Sequence, residues 1–172
     1  SPGRFGRWQT KLDRQAWAEI HQHARHHGVS ASCAVLTVFA QVIATWSRSP
    51  RFTLDLTLLD RKPVHPDVDR VVGDFTSIDL LAVDIDGAST FARRASAIQQ
   101  QLWEDLDHRG FSGVEVLREL ARRRGPAGAL MPIVFTSAIG VAGDGGVGWS
   151  QPGTAGNGIS QTPQVWIDCQ NM

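Results

Sequence analysis

The sequence predicts an α/β fold in which helices flank a mixed sheet. Three observations carry that expectation. Segments with helical apolar spacing and segments of alternating β-formers both occur along the chain. Their order, ααβ–βαα–ββ, is not the regular βαβ alternation of a doubly wound fold. The 172 residues, 42% apolar and 20% charged, suffice for one domain (1–172) with a sizeable core.

Residues 10–27 carry Leu12, Ala16, Ile20 and Ala24 four apart, as on a helix, and Gly28 suits its stop. Ser30 is placed to cap a second helix over 31–47. Its Val35, Val38, Phe39, Val42 and Trp46 form a wide apolar stripe, so a nearly buried helix is expected. Pro50 ends that pattern. Residues 51–59 alternate, with Phe52, Leu54, Leu56 and Leu58 on one face, and predict a strand. A loop with Pro63 and Pro66 follows, then a strand over 74–84. Ser89 is the expected cap of a third helix facing Phe91, Ala95, Ile98, Leu102 and Leu106 inward. A short helix over 113–124 ends before Gly125-Pro126. Residues 132–139 are strand-like, 140–158 a glycine-rich loop or lid, and the closing segment a last strand.

Composition narrows function. The formal net charge is zero, so nothing favours nucleic acid or an anionic membrane surface. The 15 Arg and 2 Lys fit a GC-rich coding bias better than a phosphate-binding face, and Arg122-Arg123-Arg124 suits a solvated helix end. Cys33 and Cys169 lie far apart and read as small buried hydrophobes in a reducing, cytoplasmic setting. No apolar run reaches membrane-spanning length. The first residue is Ser rather than Met, which reads as a piece of a longer protein.

Several motifs do not survive their context. Residues 143–148 match GxGxxG, but Trp149-Ser150-Gln151-Pro152-Gly153 follows and offers no helix N-terminus for a pyrophosphate. His21, His23, His26 and His27 cluster on the first helix, where no carboxylate or cysteine completes a metal site; an exposed helix face explains them. His26-His27 resembles the paired histidine of acyl-transferring condensation enzymes. That motif needs Asp-Gly a few residues later, and Val29-Ser30-Ala31-Ser32 does not supply it. No serine sits in a nucleophile elbow, and neither cysteine has an activating His nearby.

The closing strand is different. Alternation puts Val165, Ile167 and Cys169 on one face and Gln164, Trp166, Asp168 and Gln170 on the other. An acid flanked by amides and an indole suits the wall of a polar cavity. Thr136 lies on the preceding strand. If the two strands are neighbours, its hydroxyl and the Asp168 carboxylate come within hydrogen-bond reach. The plainer alternative makes Asp168 a cap of the glycine-rich loop and Thr136 a β-former, and spacing alone does not choose between them.

Three longer stretches carry a resemblance. Residues 71–81 (VVGDFTSIDLL), 132–137 (PIVFTS) and 160–170 (SQTPQVWIDCQ) closely resemble motifs of the heterocyclization domains of nonribosomal peptide synthetases. RFTLDLTLLDRKPVHPDV and QLWEDLDHRGFSGVEVLREL resemble connecting text of the same family, in the same order. The resemblance implies the C-terminal lobe of a chloramphenicol-acetyltransferase-like fold, whose two lobes enclose a tunnel, with the N-terminal lobe and its Asp-x-x-x-x-Asp motif absent. Asp55 and Asp60 have that spacing, but within C-lobe text it is a coincidence. Asp60 also stands where the family usually has Asn, which puts a polar role at position 60 in doubt.

By the same resemblance, Thr136 and Asp168 match the family's cyclodehydration pair. The intact domain joins a carrier-bound acyl or peptidyl group to carrier-bound Cys, Ser or Thr and cyclises it to a thiazoline or oxazoline. Ser137, Gln164, Trp166 and Gln170 are the expected substrate-binding neighbours, while Asp74 and Thr76 have a structural or lining role. No cofactor is expected beyond the phosphopantetheine arms of partner carrier domains. The expected partners are the N-terminal lobe, peptidyl carrier domains and an adenylation domain, with self-association through the exposed lobe interface. A non-catalytic docking lobe and an ordinary amide-forming condensation domain are the competing readings.

Overall fold

The structure is a computed structural model and describes residues 6–62, 64–85, 87, 89–137, 139 and 164–169, with 7–9, 69 and 164–169 as backbone only. Its elements run β1 (Gly6–Lys11), α1 (Arg14–His26), α2 (Ala31–Trp46), β2 (Arg51–Leu59), β3 (Thr76–Asp84), α3 (Phe91–Asp107), α4 (Gly113–Arg124), β4 (Val134–Thr136) and β5 (Gln164–Cys169). Short 3-10 turns at Val68–Arg70 and Pro126–Ala129 join them.

Two sheets form. The larger has the order β3-β2-β4 and is mixed, as expected: β2 pairs antiparallel with β3 along nine residues and parallel with β4. The smaller pairs β1 antiparallel with β5, Arg7 opposite Asp168 and Lys11 opposite Gln164. The sequence reading has no β1, and its first helix begins three residues before the Asp13 cap. GRWQTK carries no apolar alternation, so only its pairing with β5, more than 150 residues away, makes it a strand.

Side-chain caps set where the helices start. Asp13, Ser30 and Thr90 accept hydrogen bonds from Ala16, Cys33 and Arg93 backbone N–H groups. Thr90, rather than Ser89, is thus the α3 cap. Ser112 and Glu115 form a reciprocal capping box at α4. Between α1 and α2 the turn uses Gly28 at φ 67°, a conformation that costs glycine nothing. Buried Gln99 of α3 locks this turn: its amide donates to Gly28 O at 2.8 Å and its carbonyl accepts from Ser30 N at 2.7 Å.

The core lies on one face of the larger sheet. Leu54, Leu56, Leu81 and Val83 pack there with Leu36 and Ala40 of α2, Ala95, Ile98 and Leu102 of α3, and Phe135 of β4. The expected orientation of α2 is corrected. Its buried side is Cys33, Ala34, Leu36, Thr37 and Ala40, whereas Val38 and Val42 are each 50% exposed and Trp46 87%. Small residues let the helix axis approach its neighbours closely; of the bulky stripe, Val35 and Phe39 still pack against the core, while Val38, Val42 and Trp46 face outward. Among the described residues no single helix is long and apolar enough to cross a membrane.

Candidate functional site

Because strand side chains alternate, β2 serves two faces. Leu54, Leu56 and Leu58 enter the core; Thr53, Asp55 and Thr57 take the other side. The parallel register sets Thr57 opposite Thr136 and Asp55 opposite Val134. Thr136 Oγ1 donates to Thr57 Oγ1 at 2.8 Å, linking the two strands on the non-core face. Thr136 is exposed and Thr57 half-buried. The Thr136 side chain is therefore open to solvent on one side and anchored on the other. After it, Ser137 Oγ accepts from Ile139 N at 3.4 Å and starts a turn, so Ser137 shapes the end of β4.

Asp55 sits two residues before Thr57 on the same face. One of its carboxylate oxygens is buried without a partner, and burial raises its pKa above the usual carboxylate value. A carboxyl of raised pKa thus shares this face with the Thr57–Thr136 hydroxyl pair.

In the GDFT segment, Asp74 and Thr76, given a structural or lining role from the sequence, are bonded to each other. Asp74 accepts from Thr76 N at 2.8 Å, and its hydrogen bonds to the Thr76 hydroxyl and N–H lower its pKa. Arg61 stacks its guanidinium 3.9 Å over the Phe75 ring, and donates to Val68 O and, at 3.0 Å, to Val71 O. Phe75 O accepts from Asp60 N at 2.9 Å. Asp60 pairs with Lys62 at 3.6 Å and Arg109 at 3.7 Å, a structural use for the acid at this position.

The structure brings Thr136 together with Thr57 rather than onto a strand beside Asp168. β4 pairs with β2, whereas β5 pairs with β1 in the other sheet, so the condition that the two strands be neighbours is not met. Gln164, Trp166 and Asp168 take alternate positions on β5, opposite Lys11, Gln9 and Arg7. Gln170 and the glycine-rich segment 140–158 lie outside the described residues.

Other candidates resolve into structure. His21 packs edge-on against Trp17 with ring centroids 4.8 Å apart, and burial lowers its pKa. Among the described residues no group of three or more His, Cys, Asp or Glu side chains could hold a metal ion. Buried Cys33 has its thiol pushed up to about 11 by desolvation, which suits a packing residue and not a nucleophile. Sequence reasoning missed Thr57. Alternation alone sets it on the non-core face, but its partnership with Thr136 depends on the β2–β4 register.

Residues 4–137 match the family model of the condensation domain. The chain is 48% identical over 171 residues to pyochelin synthetase PchF of Pseudomonas aeruginosa, covering 97% of this chain and 9% of that protein. It is 46% identical over 166 residues to phenyloxazoline synthase MbtB of Mycobacterium tuberculosis, covering 95% of this chain and 12% of that protein. A solved structure of the EpoB nonribosomal peptide synthetase cyclization-docking bidomain from Sorangium cellulosum matches with a TM-score of 0.70 at 43% identity, over 80% of this chain and 28% of that one. The chain thus spans about a tenth of the length of these curated relatives.

Proposed function

This chain belongs to the condensation-domain family, and from that premise we propose that it is the C-terminal lobe of a heterocyclization domain in a nonribosomal peptide synthetase. The observation that carries this reading is its near-full-length identity of 46% to a phenyloxazoline synthase, supported by 43% identity to a cyclization-docking bidomain. The substrates are a carrier-bound acyl or peptidyl thioester and carrier-bound Cys, Ser or Thr, delivered on phosphopantetheine arms. An adenylation domain loads the acceptor, and the N-terminal lobe supplies the other half of the tunnel.

Amide formation comes first. The acceptor's thiol or hydroxyl then adds to the new amide carbonyl, forming a C–S or C–O bond, and the carbonyl oxygen becomes a ring hydroxyl. Loss of that hydroxyl as water breaks the C–O bond and requires a proton on the departing oxygen. The ring nitrogen gives up its proton as the C=N bond forms. Asp168 is assigned the proton transfer and Thr136 the orientation of the reacting group. Ser137, Gln164, Trp166 and Gln170 are assigned to substrate binding.

Thr136→Ala and Asp168→Asn in the intact synthetase test this reading. The ring-closed product, followed by mass, is expected to fall about 10²-fold or more. The open amide, one water heavier, accumulates in its place. Unchanged ring formation would overturn the assignment and favour a docking lobe. Absence of any water loss in the parent enzyme would make it an ordinary condensation domain.

A further inference from the structure

We infer that Thr57 is a positioning residue for ring closure, holding Thr136 through the hydroxyl–hydroxyl bond between them; the inference rests on the proposed role of Thr136. Thr136 sits at the end of a three-residue strand and the chain turns away directly after it. By itself such a strand end orients a hydroxyl poorly. Thr57 lies on β2, which is paired on both sides, by β3 along its whole length and by β4. Its β-branched side chain has few rotamers. The hydroxyl of Thr57 is thus a fixed hydrogen-bond partner 2.8 Å from Thr136 Oγ1.

A hydroxyl has one proton and two lone pairs. Bonded to Thr57 Oγ1, the Thr136 hydroxyl is held in one orientation and keeps the capacity for a further hydrogen bond on its exposed side. Without Thr57 Oγ1 the Thr136 hydroxyl rotates freely, and the fixed geometry it offers the reacting group is lost.

The experiment uses the intact synthetase with carrier-loaded substrates and reads the ratio of ring to open amide. Thr57→Val, which keeps the shape and removes the hydroxyl, is expected to lower that ratio about tenfold. Thr57→Ser, which keeps the oxygen, should restore most of it. In a Thr136→Ala background Thr57→Val should change the ratio no further, because the group it acts through is gone. Equal losses in Thr57→Val and Thr57→Ser would mark a packing role and overturn the inference. So would a Thr57→Val effect that multiplies that of Thr136→Ala. A ratio that responds to Thr136→Ala but not to Thr57→Val removes the positioning role alone. A ratio insensitive to Thr136→Ala removes the proposed site and this inference with it.

Discussion

On one face of the larger sheet Leu54, Leu56 and Leu81 are completely buried beneath α2 and α3, while on the other Thr57 and Thr136 share a hydrogen bond and Thr136 meets solvent. Both faces are written into the same nine residues of β2, one position apart. On the core face the constraint is volume: leucine follows leucine, and Phe135 of β4 closes the row opposite Leu56. On the other it is the hydroxyl register across a parallel pair. A strand with period two therefore lets stability and chemistry be altered separately by neighbouring substitutions, provided the register holds.

The strongest way to break this separation is from below. Leu56→Ala removes a fully buried side chain at the centre of the core and should cost about 3 kcal/mol, read by denaturant unfolding. Because Leu56 is next to Thr57 and opposite Phe135, ring formation should fall with it. If Leu56→Ala unfolded no more easily than the parent, the core would not lie where it is described. A smaller effect comes from the sheet's edge. Gly113 opens α4 against β3, and an added Cβ would come 2.9 Å from Ile78 O, a backbone atom that cannot rotate away. Gly113→Ala should cost about 1–2 kcal/mol despite alanine's better helix propensity. A stabilised Gly113→Ala would mean that α4 yields, and that the Ile78 contact is not close packing.

What was legible in the sequence divides along the same line. The alternation of β2, the Ser30 cap and the span of α4 are local, set within a few residues, and each was readable. The pairing of β4 with β2 is not local: residues 134–136 meet residues 55–57 only after β3, α3 and α4 have intervened. Hence Thr136 could be singled out from its motif, whereas its partner Thr57 could not. The β1–β5 ladder was hidden for the same reason. With α2 the failure was of a different kind. Of the apolar stripe Val35, Val38, Phe39, Val42 and Trp46, Val35 and Phe39 pack against the core, but the fully buried side is set by small size, with Ala34 and Ala40 buried and Val38, Val42 and Trp46 outward. For Asp168 the motif offers a role and the structure a register position opposite Arg7 in the smaller sheet.

The core face of β3 also carries an acid, and it supplies the finest test. Asp79 is the register partner of Leu56 and so lies on the apolar side of β3. One of its oxygens is buried without a partner, as is one of Asp105 on α3. Burial first, then the Asp105 charge and that of Asp55, raise the Asp79 pKa above its ordinary 3.8. A carboxyl whose folded pKa is raised contributes stability that is full below the ordinary value and is lost as pH rises through the folded one. At neutral pH the Asp79 charge is therefore a cost. Asp79→Asn should raise the melting temperature at pH 7 by roughly 2–4 °C, about 1 kcal/mol, small because Asp79 is only half-buried. Below pH 3.8 the acid is neutral in both states and the gain should vanish. An equal gain at both pH values would show that asparagine merely packs better there, and that charge on the core face of this sheet carries no penalty.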